Sequence, residues 1–189
     1  MTPTWSRIGH AAGLPTMLDA ANYSATDSLR DGRFIEIRAL RPTDQADLLA
    51  AVERIGAQSL YRRFMGAKRH FSEKERAFFI NVDFVNHVAL VAVTREDGHE
   101  AIIAGARYFV ERPGTAEVAF AVIDKYQRQG IGAALLRHLA QIARDAGLKE
   151  FTAEVLSNNA PMLKVFEKSG LKSGFKRDSG VVHVTLQLA

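Results

Sequence analysis

The sequence predicts an α/β (α+β) fold with a mixed, mostly antiparallel central sheet of about six to seven strands, flanked by about four helices. Short apolar or alternating segments recur along the chain, and three of them follow one another in its middle with Gly-containing turns between them. Amphipathic helical segments lie before and after this group. A chain of 189 residues with 47% hydrophobic content is long enough to bury one sizeable core.

The first part of the chain lacks a clear pattern. Residues 1–32 have weak periodicity and several breakers, so we expect a loosely ordered arm there and a single domain over residues 33–189. In residues 34–40, apolar and polar side chains alternate as they do in a half-buried β-strand. Pro42-Thr43-Asp44 then supplies a stop and a cap before a helix over residues 48–55.

The middle of the chain predicts two short helices and a three-stranded meander. Residues 59–81 carry aromatic and aliphatic side chains at helical spacing, with a break near Gly66. The meander comprises residues 88–93, 102–110 and 117–123, which are separated by turn sequences rich in Gly, Asp and Pro.

Helices and strands alternate in the last third of the chain. The predicted elements are a helix over residues 130–147, a strand over 151–156, a helix over 159–170 and a strand over 181–188. The first of these helices places Ile131, Leu135, Leu139, Ile142 and Ala146 on one face. Asn158 or Asn159 caps the second.

Composition excludes several classes of site. The chain has no cysteine, which excludes disulfides, thiolate metal ligands and a cysteine nucleophile. Its histidines show no paired ligand spacing, so we expect no metal site. The formal charge of +4 suits an anionic ligand but is too small to indicate a nucleic-acid partner.

No apolar run is long enough to cross a membrane, and the N-terminus is unlike a signal peptide. We therefore expect a soluble, cytoplasmic protein. The sequence leaves its oligomeric state open.

The strongest concentration of positive charge follows the first predicted helix. It comprises Arg62, Arg63, Lys68, Arg69 and His70. A solvated helix face is the favoured interpretation. A docking patch for an acidic partner or a phosphate is the alternative.

The segment from Val122 to Leu135 predicts an anion site. It runs from an apolar strand through a turn containing Gly130 and Gly132 into an amphipathic helix, so the backbone can approach a ligand with free N–H groups and the positive end of the helix dipole. Ala133-Ala134 stands where a P-loop needs Lys-Ser/Thr, which excludes that motif. A dinucleotide-binding turn is disfavoured, because it needs a third glycine where Leu135 stands.

Two motifs resemble the GNAT superfamily of N-acetyltransferases. The first, Gln127-x-x-Gly130-x-Gly132, is similar to the superfamily's acyl-CoA pyrophosphate loop. The second, from Asn159 to Leu171, is similar to its later run of Asn, helix and Gly-hydrophobe. The resemblance covers residues 34–188 and implies an N-acetyltransferase domain that uses acetyl-CoA as cosubstrate and no metal.

The chain is also similar to the bacterial protein lysine acetyltransferases that act on acyl-CoA synthetases. The segments that carry this narrower resemblance are residues 59–64, Val82-Asp83, 87–91, 106–108, 116–120 and Met162-Leu163. It implies a lysine of a protein such as an acyl-CoA synthetase as the acceptor. A small-molecule amine acceptor and a non-catalytic acyl-CoA sensor remain alternatives. Some members carry a further regulatory or synthetase-like domain, for which we expect no room in this chain.

The resemblance also assigns the donor site. Main chain near Val122 is expected to pair with the pantetheine arm, and Asn159 to contact the same arm; a plain helix cap is the alternative role for Asn159. The residues expected to hold the pyrophosphate through N–H groups are Gln127, Arg128, Gln129, Gly130, Ile131, Gly132 and Ala133.

Glu117 is the candidate general base. On its predicted strand it shares a face with Ala119 and Ala121, which leave room for a substrate. The resemblance agrees, because the acetyltransferases that act on synthetases use a glutamate at this motif position, directly or through water. Glu154 and Asp83 are the second and third candidates, and a solvent-facing glutamate with no role is the alternative.

One position departs from the superfamily pattern. Phe166 stands where many members have a tyrosine that protonates the CoA thiolate, so we expect Phe166 in the core. The proton then comes from water, the outgoing ammonium, or the hydroxyl of Tyr126 or Ser169. The absence of cysteine disfavours a thiol-mediated ping-pong route and leaves direct attack in a ternary complex.

Overall fold

The computed structural model describes residues 19–66 and 70–188. The strands in these ranges are β1 (Ser24–Ser28), β2 (Phe34–Ala39), β3 (His87–Glu96), β4 (His99–Arg112), β5 (Thr115–Val122), β6 (Glu150–Leu156), β7 (Lys172–Asp178) and β8 (Val181–Gln187). The helices are α1 (Gln45–Glu53), α2 (Ala57–Phe64), α3 (Glu73–Ile80), α4 (Ile131–Asp145) and α5 (Ala160–Glu167).

The strands form one sheet in the order β1-β2-β3-β4-β5-β6-β8-β7. Every neighbouring pair is antiparallel except β5 and β6, which run parallel with α4 as the crossover between them. This confirms the predicted mixed, mostly antiparallel sheet flanked by helices, with a slightly higher number of strands.

The N-terminal edge of the sheet differs from the prediction. The sequence predicts a loosely ordered arm up to residue 32, but residues 24–28 form β1 and pair with β2. The predicted boundary therefore falls inside a β-hairpin, and residues 1–18 of the predicted arm lie outside the described part of the chain. The β1 sequence, Ser-Ala-Thr-Asp-Ser, is polar and half exposed, so it has no hydrophobic alternation that a sequence pattern could detect.

The other edge of the sheet also contains an unpredicted strand. Six of the seven residues of β7 are exposed. The strand exists because Ser179 and Gly180, with φ of 47° and 87°, make a two-residue turn that returns the chain along β8. Positive φ at both central residues matches the right-handed twist of a hairpin, so the turn specifies the pairing without a buried face on β7.

The core lies on both sides of the central strands. Eight consecutive residues of β3, from His87 to Thr94, are buried because helices cover both faces of the sheet. Leu135 and Leu139 of α4 are fully buried, as the helical pattern predicts. Ala146 is exposed instead, because α4 ends at Asp145 and the predicted face extended one residue too far.

The helices before β3 match the prediction with shifted ends. α1 begins at Gln45, directly after a 3₁₀ turn at Pro42–Asp44. α2 ends where Met65 adopts a left-handed conformation, and α3 begins after Ser72, whose side chain accepts the N–H of Glu75. None of the helices in the described ranges is long and apolar enough to cross a membrane.

Candidate active site

Strands β5 and β6 separate along their length, and this opening is the centre of the candidate site. They pair only at Thr115–Glu150, Ala116–Phe151 and Glu117–Thr152, although β5 continues to Val122 and β6 to Leu156. Glu117 is therefore the last residue of β5 that pairs with β6, whereas the pairing of β5 with β4 continues to Val122. Beyond it, one edge of β5 has backbone groups that no strand in the described ranges pairs, so an extended ligand can bind there as an added strand.

The N-terminus of α4 lies at the wide end of this opening. The first helical hydrogen bond runs from the Ala134 N–H to the Gly130 carbonyl at 3.0 Å, so the N–H groups of residues 131–133 have no acceptor within the helix. Gly130 has a φ of 94° and provides no side-chain cap. A left-handed glycine at this point turns the chain into the helix while its N-terminus stays open to an anion.

The loop before α4 is fixed by its own side chains. The amide nitrogen of Gln127 donates to the Ser59 hydroxyl at 3.0 Å, to the Val122 carbonyl at 3.1 Å and to the Asp124 carboxylate at 3.1 Å. The main-chain N–H of Gln127 donates to the Asp124 carbonyl at 3.2 Å. Of the residues predicted to bind a cofactor, Gln127 and the Val122 carbonyl thus have partners within the protein, and they shape the loop.

A second contact joins this loop to the β1–β2 turn. The Arg33 guanidinium donates to the Gln129 side-chain oxygen at 3.1 Å, and the Arg30 N–H donates to the Gln129 carbonyl at 3.4 Å. Asp31 holds the Arg33 guanidinium at 2.7 Å. Arg128 is exposed and has a φ of 64°, so its backbone turns sharply just before the helix.

Asn159 occupies the cap position of α5. Its side-chain oxygen accepts the Met162 N–H at 3.4 Å, which is the capping role. Its amide nitrogen has no hydrogen-bond partner among the described residues. Capping and a ligand contact are therefore compatible at this residue.

Glu117 lies at the narrow end of the opening, and as a whole residue it is exposed. Burial of part of the group and the negative charge of Glu111 raise its pKa, while the Arg63 guanidinium opposes the rise and Glu154 adds to it. A carboxylate with a raised pKa is a better proton acceptor than an ordinary glutamate. This environment suits a general base.

The two other candidate bases differ in their surroundings. Glu154 lies on β6, two residues beyond Thr152 and on the same face, and its carboxylate is 3.3 Å from the His183 ring. The Asp83 carboxylate accepts the N–H groups of Val85, Asn86 and His87 at 2.8–2.9 Å. Burial acts to raise the Asp83 pKa, but these N–H groups outweigh it and hold the pKa below its usual value. Asp83 therefore stabilises the turn before β3 and is a poor base.

An apolar cavity lies beside this site, between α1, α2, α3 and the sheet. It contains about 840 Å³ of empty space, part of which is open to solvent. Gly105, Ala119 and Ala121 line its sheet side, so the small residues that share a face with Glu117 do leave space there. The small side chains expected from the sequence thus face an open volume.

Three arginines, Arg63, Arg76 and Arg107, line the same cavity, and two of them, Arg63 and Arg107, interact with each other. Burial and the charge of Arg63 lower the pKa of Arg107 to about 10. Burial lowers the pKa of Arg63 as well, and the Glu117 charge partly restores it. Neither guanidinium forms an ion pair with a carboxylate of the described residues. Arg63 was predicted on a solvated helix face; it faces the cavity instead, while Lys68 and Arg69 of that cluster lie outside the described residues.

The hydroxyl groups proposed as acids are already engaged. The Tyr126 hydroxyl donates to the Glu96 carboxylate. The Ser169 hydroxyl donates to the Phe166 carbonyl at 2.7 Å. Phe166 is 1% exposed and packs edge-on against Phe120, as its assignment to the core predicts.

Comparisons with known proteins identify the family of this chain. The profile of the acetyltransferase (GNAT) family matches residues 56–171, which contain both motifs and the β5–β6 opening. The chain belongs to the GNAT acetyltransferase family. Its members are enzymes that transfer an acetyl group, so this GNAT chain is an N-acetyltransferase.

Three relatives extend this assignment. The chain is 32% identical over 156 residues to the acetyltransferase Pat of Mycolicibacterium smegmatis, covering 82% of this chain and 46% of Pat. It is 30% identical over 136 residues to an acetyltransferase of Pseudomonas aeruginosa, covering 71% of this chain and 73% of the relative. The crystal structure of the GNAT domain of S. lividans PAT superposes with a TM-score of 0.78 at 34% identity, covering 87% of this chain and 96% of that domain. The GNAT chain thus spans about half the length of the M. smegmatis protein.

The structure brings to the site residues that the sequence did not assign to it. Arg63 follows Leu60 at helical spacing and precedes Phe64, so a strict reading of the helix face would have turned it inward. The position of Phe109 beside Glu117 depends on the register of β4 and β5, for which the sequence gives no local signal. Within the described ranges, no group of three His, Asp or Glu residues is arranged to hold a metal ion.

Proposed function

We propose that this GNAT protein transfers the acetyl group of acetyl-CoA to a lysine side chain of a protein such as an acyl-CoA synthetase, with Glu117 as general base. The observation that carries the proposal is the separation of β5 and β6 directly after Glu117. It combines a free strand edge, an open helix N-terminus at the wide end and a carboxylate with a raised pKa at the narrow end.

The donor occupies this opening. Its pyrophosphate binds the N–H groups of residues 131–133 at the start of α4, and its pantetheine arm pairs with the free edge of β5. Asn159 donates its amide N–H to the same arm. Gln127 acts indirectly, because its side chain holds the loop in shape. We assign this activity to one domain over residues 33–189, to whose sheet β1 is added.

The reaction proceeds by direct attack. The lysine ammonium first loses a proton to Glu117, directly or through a water, because a protonated amine is not a nucleophile. The neutral nitrogen attacks the thioester carbonyl, the C–N bond forms and the C–S bond breaks. The amide nitrogen loses its second proton and the CoA thiolate gains one. Since Tyr126 and Ser169 donate to other groups, we assign the thiolate's proton to the outgoing ammonium or to water.

A test of the base is Glu117→Gln, which keeps the shape and removes the charge. We expect turnover to fall by ~10²–10⁴-fold, the usual contribution of general base catalysis. The affinity for acetyl-CoA in calorimetry should be unchanged, because the donor binds beyond Glu117. Glu154→Gln is the matched control and should keep near-normal turnover. Near-normal turnover of Glu117→Gln would end the assignment.

The acceptor class is tested separately. We would incubate the wild-type protein with labelled acetyl-CoA and either a panel of acyl-CoA synthetases or a panel of small amines. Labelling of a synthetase lysine supports the proposal, and turnover of small amines alone supports the small-molecule alternative. Tight binding of acetyl-CoA with neither reaction supports a non-catalytic acyl-CoA sensor.

A further inference from the structure

Three apolar side chains are exposed at the end of the sheet where Glu117 lies. They are Phe78, Val85 and Phe109, with 48%, 69% and 46% of their surface exposed. The ring centres of Phe78 and Phe109 are 6.3 Å apart. Val85 lies in the turn before β3, beside Asn86, whose carbonyl accepts the Val110 N–H at 2.8 Å. We call these three residues the Phe109 patch.

The Phe109 patch is held in a fixed shape from below. The His87 ring is buried and stacks on the Phe78 ring, with 4.8 Å between the ring centres. It also lies edge-on to the Phe109 ring, with 5.9 Å between the ring centres. The Arg107 guanidinium lies 3.2 Å from Nε2 of His87. The Asp83 carboxylate accepts the Val85 N–H and so fixes the turn that carries Val85. Exposed rings that are already ordered lose little entropy when they bind a partner.

The strand register places this patch directly beside the candidate base. Phe109 of β4 is opposite Glu117 of β5, and His87 of β3 is opposite Phe109. Directly opposite residues of an antiparallel pair point to the same face, so Phe109 is the immediate neighbour of the Glu117 side chain. On the other edge of β5, Glu117 pairs with Thr152 of β6, and the β5–β6 opening, which the donor occupies, begins directly beyond this pair. The rest of an acceptor whose amine reaches Glu117 therefore extends over the patch.

The charges around Glu117 define what the acceptor brings there. Glu111 and Glu154 add negative charge close to Glu117, and the Arg63 guanidinium is the positive charge that acts on the same carboxylate, so negative charge is in excess. The Thr152 hydroxyl donates to the Glu111 carboxylate at 3.3 Å. A cationic amine is attracted to this end of the sheet. The combination of carboxylates with an adjoining apolar surface is complementary to a lysine that has an apolar neighbour.

We propose that the Phe109 patch is the docking surface for the protein acceptor and that it binds an apolar side chain adjacent in sequence to the target lysine. The inference rests on the proposed function, since it takes Glu117 as the place where the amine reacts. It adds a sequence preference that the catalytic residues alone do not specify. A small polar amine has no group that would use this surface.

The test compares two synthetic peptides that differ only beside the lysine. One has the sequence Ala-Leu-Lys-Phe-Ala and the other Ala-Ser-Lys-Ser-Ala, both with blocked termini. We expect the wild-type protein to acetylate the apolar peptide with a kcat/KM ~10-fold higher, the scale of one good apolar contact. Phe109→Ala and Val85→Ser should each lower this preference towards one and leave the KM for acetyl-CoA unchanged.

Matched controls separate docking from a general loss of apolar surface. Phe34 and Phe175 are 72% and 39% exposed, and neither belongs to the patch. Phe34→Ala and Phe175→Ala should retain the wild-type preference, and thermal melting would verify that every variant is folded. Equal use of both peptides by the wild-type protein, or a preference that survives Phe109→Ala and Val85→Ser alike, overturns the docking inference. Protein acetylation would persist in that case, whereas a wild-type protein that acetylates only small amines would overturn the proposed function as well.

Discussion

The proposed donor site leads to a quantitative prediction at Gly132, the second residue of α4. A Cβ atom built on Gly132 would lie 3.6 Å from the Val165 side chain, which is an ordinary van der Waals contact. Gly132→Ala and Gly132→Asp should therefore both fold. An acidic residue in the first turn stabilises a helix by ~0.3–1 kcal/mol through the helix dipole, so Gly132→Asp should be at least as stable as wild type.

Binding should respond in the opposite direction to stability. Two unit charges ~4 Å apart repel by ~1 kcal/mol in water and by ~4 kcal/mol near a protein surface. An aspartate beside the pyrophosphate should weaken acetyl-CoA binding by ~1.4–3 kcal/mol, or roughly 10- to 150-fold in Kd. Gly132→Ala adds the methyl group without the charge, and its Kd should stay within a few-fold of wild type.

Isothermal titration calorimetry with acetyl-CoA would measure the three dissociation constants, and thermal melting would compare the stabilities. Because the repulsion is electrostatic, the difference between the aspartate and alanine variants should shrink as salt is raised. Equal dissociation constants for Gly132→Asp and Gly132→Ala at low salt would refute the assignment of the pyrophosphate to this helix N-terminus.

Two further predictions concern the base and the loop. Because the Arg63 charge lowers the Glu117 pKa, Arg63→Gln should raise that pKa and move the acid limb of the kcat/KM profile to higher pH. Arg63→Lys keeps the positive charge and should leave the acid limb near its original pH. An acid limb that Arg63→Gln does not move would contradict the effect of the Arg63 charge on the Glu117 pKa. Gly130 has a φ of 94°, and a methyl group added to it would meet no other atom within 4 Å, so Gly130→Ala should cost ~1–2 kcal/mol of unfolding free energy through backbone strain alone. Urea denaturation would measure the cost, and an unchanged midpoint would show that the turn tolerates a side chain.

Much of the fold could be predicted from local patterns. The first strand of the meander, β3, is a continuous apolar run buried on both faces, and the long helix α4 buries one apolar face, so both are visible in the sequence. β1 and β7 escaped prediction for the opposite reason. Both are exposed edge strands that pair through the free backbone groups of a neighbouring strand. Backbone hydrogen bonding does not require an alternation of apolar and polar side chains, so no such pattern shows these strands in the sequence.

Some features of the candidate site could likewise be predicted from local sequence, and others depend on the fold. The glycine turn before α4 is a contiguous segment, so its type and its likeness to an acyl-CoA loop could be recognised directly. The hydrogen bonds of the Gln127 side chain within the protein could not be predicted, because the fold brings its partners Ser59 and Val122 to it. The raised pKa of Glu117 likewise depends on partial burial and on the charges of Glu111 and Glu154, which outweigh the opposing charge of Arg63, and these three residues come from different elements.

The sequence by itself determined the family, the candidate donor loop and the strand that carries Glu117, because each of these depends on residues close together in the chain. Only the tertiary structure decided that β5 and β6 separate at Glu117 and that Phe109 lies beside it. Strand register and strand divergence are set by contacts between distant segments, and a change of one position in register would have turned Phe109 away from the base. The candidate residues of the site could therefore be identified from the sequence, whereas the surface proposed to bind the acceptor could not.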